Sequence, residues 1–149
     1  MSATDLFFKA LYRLSLGRIG HEVPGGRKVL LLTTTGRRTG KRRTTPLVYM
    51  PLSGETPGIS LSGDEGFLIA GSNWGGPKDP AWLLNLDARP DTIVRAGPRR
   101  VEVRARRATD AEAEGVWPVA CAYNDHWADY REKCEREIPL VVLEPRSGS

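Results

Sequence analysis

VLLLTTTGRRTGKRRTTPLVYM, residues 29–50, decides how the rest of the chain is read. An apolar and β-branched run, Val29 to Thr35, has the composition of a strand. It breaks at Gly36-Arg37-Arg38-Thr39-Gly40, and a second extended run follows from Arg42 to Tyr49. Two glycines around a short polar segment between β-rich runs predict a hairpin, because glycine supplies the φ > 0 that a tight reversal needs. The turn carries Arg37, Arg38, Lys41, Arg42 and Arg43, five cations within seven residues, among the hydroxyls of Thr39, Thr44 and Thr45. Guanidinium forks, hydroxyls and closely spaced amides at a turn suit a phosphate or a carboxylate. A solvated basic hairpin tip would have the same composition, so the cluster alone leaves both readings open.

At 149 residues the chain is read as one domain, large enough to bury a core without staples. Sixteen glycines and eleven prolines fit many short strands better than a helical bundle. The net charge is only +4, less than the five cations of the turn, so the basicity is local and points to an anionic ligand. Cys121 and Cys134 form no CxxC and have no histidine pair nearby, which argues against a metal site or a disulfide framework and for a reducing cytoplasmic setting. There is no apolar run of 18 residues to span a membrane, and no cleavage site of the kind that follows a signal peptide.

Outside the hairpin, Thr4 to Ile19 has helical periodicity, with Phe7, Leu11 and Leu14 on one face. This amphipathic helix is expected to cover the core. Its mix of bulky apolar and basic residues also allows peripheral contact with a membrane surface. His21 to Lys28 is read as a loop. Pro51 to Glu65, rich in Gly, Pro and Ser, is expected to be a long mobile connection. Gly66 to Ser72 reads as the third strand, and Ala81 to Asp87 as a short helix with Pro80 at its first position. Thr92–Ala96 and Arg99–Arg107 read as two strands joined at Gly97-Pro98. In the second, Val101, Val103 and Ala105 alternate with a wet face of Arg100, Glu102, Arg104 and Arg106. Thr109 or Asp110 caps a helix toward Tyr123, in which Pro118 is expected to cause a kink or a restart. A helical segment from Asn124 to Glu137 and a closing strand from Ile138 to Glu144 complete the chain. The expected class is α+β, a barrel of about six mostly antiparallel strands with flanking helices. The fingerprints of Rossmann and P-loop folds are absent.

In order and spacing, LLTTTGRRTGKRRTTPLVY, FLIAGSNWGG, KDPAWLLNL and IPLVVLEP resemble the deazaflavin-dependent nitroreductase and quinone reductase family. These are split-β-barrel oxidoreductases that use the 8-hydroxy-5-deazaflavin coenzyme F420. The resemblance covers about residues 28–145, leaving 1–27 as an N-terminal helix and loop and 146–149 as a tail. It implies that Arg37, Arg38, Thr39, Arg43, Thr44 and Thr45 hold the coenzyme's phosphate and acidic tail. Pro46, Leu47 and Val48 would run beneath the ring. Ala70, Gly71, Ser72 and Asn73 would approach the ring's polar edge, with Gly71 leaving that approach open. In the short helix, Ala81, Trp82, Leu83, Leu84 and Asn85 match the cofactor side, with Trp82 and Asn85 one turn apart; core packing is the default for Leu83 and Leu84.

The substrate side would be formed by Val48, Tyr49, Asn124, Trp127 and Tyr130, with Trp127 also touching the coenzyme. Asn73, followed by Trp74, stands where many members carry a lysine, and Asn124 where several carry an aromatic residue. The activity implied is hydride transfer from the reduced coenzyme to a quinone or nitroaromatic. Ser72 would hydrogen-bond the developing oxyanion and Tyr130 would donate a proton. His126 is a lone histidine with no assigned role. The rivals are an FMN-using split barrel and a non-catalytic deazaflavin-binding protein. A nucleic-acid partner ranks last, because Val29 to Arg43 has no aromatic residue.

Overall fold

The computed structural model describes residues 22–23, 27–73, 76–134 and 136–146. The expected N-terminal helix, His21, the Pro24–Gly26 loop, Trp74 and the last three residues lie outside the described residues. The elements run β1 (Glu22–Val23), β2 (Arg27–Thr35), β3 (Arg42–Ser53), β4 (Glu65–Ala70), α1 (Ala81–Ala88), β5 (Asp91–Ala96), β6 (Arg99–Arg107), α2 (Asp110–Tyr123), α3 (Asp125–Lys133) and β7 (Leu140–Pro145). No helix among them is long and apolar enough to cross a membrane.

All the strand pairings are antiparallel, in the order β1-β2-β3-β4-β7-β6-β5. A further ladder, from Leu30↔Ala96 to Thr33↔Ile93, joins β2 to β5 and closes six of the strands into a barrel. The period of two sorts the side chains. Leu30, Leu32, Tyr49, Phe67, Ile69, Val94, Val103, Val141 and Leu143 point into the barrel, and α1 adds Trp82, Leu83 and Leu86 to the same interior cluster. The alternate residues Met50, Leu52, Leu68, Ala70, Leu140 and Val142 point outward, under Val116, Trp117 and Ala120 of α2 and Trp127 of α3. β4 and β7 are therefore buried on both faces, as their apolar sequences GFLIA and LVVL require.

Several expectations need correction. Pro51 to Ser53 extend β3 rather than opening a loop. The remainder of the connection is tied down: Ile59 is buried in the outer cluster, the Ser60 amide donates to Glu112 (3.1 Å) and the Ser62 amide to Glu144 (2.7 Å). Gly58 has φ +86°, and a Cβ there would lie 2.7 Å from the Gly115 carbonyl carbon, so the loop packs backbone to backbone on α2. Pro80 caps α1 from outside its first turn. Pro118 sits inside a continuous α2, whose start is fixed by a reciprocal capping box between Thr109 and Glu112. On β6, Arg104 faces water, whereas Arg106 is partly buried and bridges Glu112 (2.7 Å) and Glu144 (3.3 Å) while donating to the Ser60 carbonyl (2.7 Å). The Arg106 guanidinium, helped by amide donors from Thr109 and Ser60, holds the Glu112 carboxyl down at about 2. Both cysteines are free, and burial pushes the Cys121 thiol up, away from the reactive thiolate.

Candidate active site

Where α1, the α2–α3 junction and β3 converge outside the barrel, they enclose a cavity of about 230 Å³. This is below the roughly 300–1,000 Å³ usual for ligand sites, with room for a flat ring rather than for a whole dinucleotide-sized ligand. β3 supplies Thr45, Pro46 and Val48, and the β4–α1 connection supplies Ser72, Asn73 and Pro80. Trp82 of α1 and Asn124, His126, Trp127 and Tyr130 of the α2–α3 junction complete the lining.

The polar groups are few and specific. Ser72 is 9% exposed, and its hydroxyl has no hydrogen-bond partner among the described residues. Because it lines the cavity, this hydroxyl is free to hydrogen-bond a molecule that enters it. Asn124, 2% exposed, caps both helices at the junction: its amide donates to the Ala120 carbonyl (2.9 Å) and its side-chain oxygen accepts from the His126 amide (3.1 Å). It lines the cavity, but that oxygen is committed to the cap. His126 lies one turn before Tyr130, and their rings stack at 6.2 Å and 24°. Pro80 and His126 were not foreseen in the cavity wall. The four-residue spacing of His126 from Tyr130 on one helical face was the available signal.

The cationic turn leads out of this cavity along β3, two residues beyond Thr45. Its backbone is closed by Gly36 N–H to the Lys41 carbonyl and Gly40 N–H to the Gly36 carbonyl, both 2.8 Å, with Gly40 at φ +71°. Several arginines elsewhere are paired: Arg99 with Glu65, Arg104 with Asp91, Arg107 with Asp87, and Arg136 with Asp79. By contrast, Arg37, Arg38, Lys41, Arg42 and Arg43 are exposed, and none pairs with a carboxylate of the described residues. Among the described residues these five clustered cations have no carboxylate partner, and their summed charge favours an anion nearby.

The other residues singled out by sequence are distributed more widely. Leu47 and Tyr49 face the barrel interior, and Tyr49 makes an edge-on contact with Phe67 at 5.3 Å; this removes it from the substrate wall. Leu83 is core at 1% exposure, Leu84 is half-buried, and Ala81 is exposed. Ala70 packs in the outer cluster. At Gly71 a Cβ would crowd Leu83 Cδ2 at 2.9 Å and touch Pro139 at 3.5 Å, so packing also favours a glycine there. The Thr39 hydroxyl accepts from the Lys41 amide, and the Thr44 hydroxyl pairs with Thr33 across the strands at 3.1 Å. Asn85 turns away from the cavity to donate to the Thr34 hydroxyl (3.2 Å) and accept from the Arg37 amide (3.1 Å).

Over residues 7–145 the sequence matches the family described as F420H2-dependent quinone reductase. The chain belongs to this family. An F420H2-dependent quinone reductase of Mycobacterium tuberculosis is 37% identical over 140 residues, spanning 92% of this chain and 87% of that one. Among solved structures, an F420-H2 dependent reductase superposes with a TM-score of 0.62 at 30% identity, over 78% of this chain and 93% of that one. A second, described as a domain-swapped dimer, gives 0.65 at 28% identity over 96% and 100%. The family's split barrel is the closed barrel described above.

Proposed function

We propose that this member of the family transfers a hydride from the reduced deazaflavin coenzyme to a quinone. The observation that carries the proposal is the joining of two features: an aromatic-walled cavity lined by the Ser72 hydroxyl, and a turn of five exposed cations, without a carboxylate partner among the described residues, leading out of it along β3. The residues present fit the coenzyme, a flat polar-edged ring on an anionic tail. Arg37, Arg38 and Arg43 would hold the tail, and Pro46, Val48, Trp82 and Trp127 would sandwich the ring. When bound, the reduced coenzyme supplies the hydride. The protein orients the acceptor and excludes water. Ser72 would donate to the oxygen that gains negative charge, and Tyr130, in the lining of the same cavity, would give up a proton. Nitroaromatics offer a comparable flat, electron-poor acceptor.

The decisive experiment is titration of the purified protein with the oxidised deazaflavin, followed by fluorescence, with FMN in parallel. Steady-state oxidation of the reduced coenzyme by a soluble naphthoquinone follows. Saturable binding of the deazaflavin with quinone-dependent turnover is expected. Tight binding of FMN in its place would move the chain to flavin chemistry on the same fold, and binding without turnover would make it a carrier. We also propose that the basic, apolar segment 4–19 brings the protein to membranes that hold lipid quinones. Flotation with anionic vesicles checks this, and recovery only at the bottom of the gradient would exclude it.

A further inference from the structure

The β4–α1 connection brings Ser72, Asn73 and Pro80 to the cavity. One guanidinium from beyond α3 binds this connection at Gly71, Ser72, Gly76 and Asp79. Arg136, its side chain only 18% exposed, donates from Nη2 to the carbonyls of Gly71 (2.8 Å) and Ser72 (3.1 Å). Its Nε donates to the Gly76 carbonyl (3.1 Å) and its Nη1 to Asp79 (2.8 Å). The start, middle and end of the connection therefore meet at a single planar group. Arg136 lies behind the wall and lines a separate cavity of about 420 Å³.

The direction of these bonds has a chemical effect. Across a trans peptide the C=O and the following N–H point opposite ways. Drawing the Gly71 and Ser72 carbonyls toward Arg136 turns the amides of Ser72 and Asn73 away from it, both to the same side. An extended strand would alternate them. Asn73 holds a left-handed φ of +46°, the conformation that lets successive N–H groups converge on an anion or an oxygen. Its side-chain amide steadies it by donating to the Lys78 carbonyl (3.0 Å). Neither the Ser72 nor the Asn73 amide has an acceptor among the described residues, and neither does the Ser72 hydroxyl.

We infer that Arg136 is a positioning residue for the reaction: by gripping two successive carbonyls it presets the Ser72 and Asn73 amides and the Ser72 hydroxyl as a donor array on the cavity wall, aimed at a carbonyl-type oxygen of a bound ring. This rests on the functional reading above. It assigns the array's geometry to a residue that does not touch the ligand. Lysine cannot replace Arg136, since one ammonium lacks the planar fork that reaches four acceptors at once.

The test compares wild type with Arg136→Lys and Arg136→Ala in three measurements. The first is amide hydrogen exchange of residues 71–80 in the ligand-free protein, with β6 as the internal reference. The second is the absorbance shift of the oxidised deazaflavin on binding, and the third is kcat and KM with a soluble naphthoquinone. Arg136→Lys is expected to speed exchange in 71–80 by about 10-fold or more, leave β6 unchanged, reduce the absorbance shift and lower kcat by about 10-fold while quinone KM stays nearly constant. Millimolar guanidinium should restore part of the kcat of Arg136→Ala. Unchanged exchange, spectrum and kcat in Arg136→Lys would overturn the inference. A wild type that does not bind the deazaflavin would overturn the functional reading alone, because the exchange rates still decide whether Arg136 holds the array.

Discussion

Asn85 Oδ1 accepts from the backbone N–H of Arg37 at 3.1 Å and from the Arg37 guanidinium at 3.4 Å, across 48 residues of sequence. A buried amide in α1 thus anchors the first peptide of the cationic turn, while the same side chain donates to Thr34. Asn85→Ala should cost about 2 kcal/mol, because the Thr34 hydroxyl is left buried without its donor. The weaker anchor should also reduce coenzyme affinity. Urea denaturation and the fluorescence titration check the two effects separately; an unchanged midpoint would mean that solvent takes over the lost bonds.

Arg43 is exposed and has no carboxylate partner among the described residues, so its removal should leave the fold alone. Arg43→Ala is expected to weaken coenzyme binding by about 1.5–3 kcal/mol, the scale of one charge-assisted contact. The loss should shrink as salt is raised. Equal affinity in the variant, with an intact circular dichroism spectrum, would take Arg43 out of the site.

Acid stability is tied to Glu112. Its carboxyl is held at about 2, below its ordinary value of 4.5, chiefly by the Arg106 hydrogen bonds. Because the folded state depresses this value, the stabilisation is complete above pH 4.5 and is lost as pH falls through the window toward 2. The two values correspond to about 3 kcal/mol. Glu112→Gln should flatten the stability profile between pH 5 and pH 2, roughly the range over which the linkage acts. Thermal melts of both proteins across that range decide the matter, and parallel profiles would assign acid sensitivity to other carboxylates.

Gly58→Ala should destabilise by about 2 kcal/mol, from the combination of a positive φ and backbone overlap with α2. The predicted readout is a melting temperature several degrees lower. A neutral result would show that the 54–64 segment can lift off the helix without cost.

What was legible in the sequence follows from what local chemistry controls. β6 alternated in sequence and alternates in burial, and the glycines of the hairpin marked a turn whose Gly40 is left-handed. The Thr109 cap appeared where a threonine precedes a glutamate by three residues. Neighbouring residues of a strand were harder to separate. Val48 and Tyr49 were both assigned to the substrate side, yet the pleat sends Val48 to the cavity and Tyr49 to the interior. The Pro51–Glu65 stretch has the composition of a loose loop. Its order comes from Glu112 and Glu144, residues far along the chain that no local pattern connects to it. Arg136 was invisible for the same reason, since its acceptors are backbone carbonyls, which carry no residue signature.

The β2–β5 ladder that closes the barrel, from Leu30↔Ala96 to Thr33↔Ile93, joins residues far apart in the chain, and the β4–β7 ladder spans a longer interval still. Such non-local pairings make for slow folding, because a long loop must be ordered before any of these contacts forms. The cavity draws on residues from Thr45 and Val48 through Ser72 and Trp82 to Tyr130, so it exists only once nearly the whole chain has been synthesised and threaded into register. Nascent or truncated chains would carry the cationic turn without the ring pocket, and coenzyme added during refolding would act on the last step rather than the first.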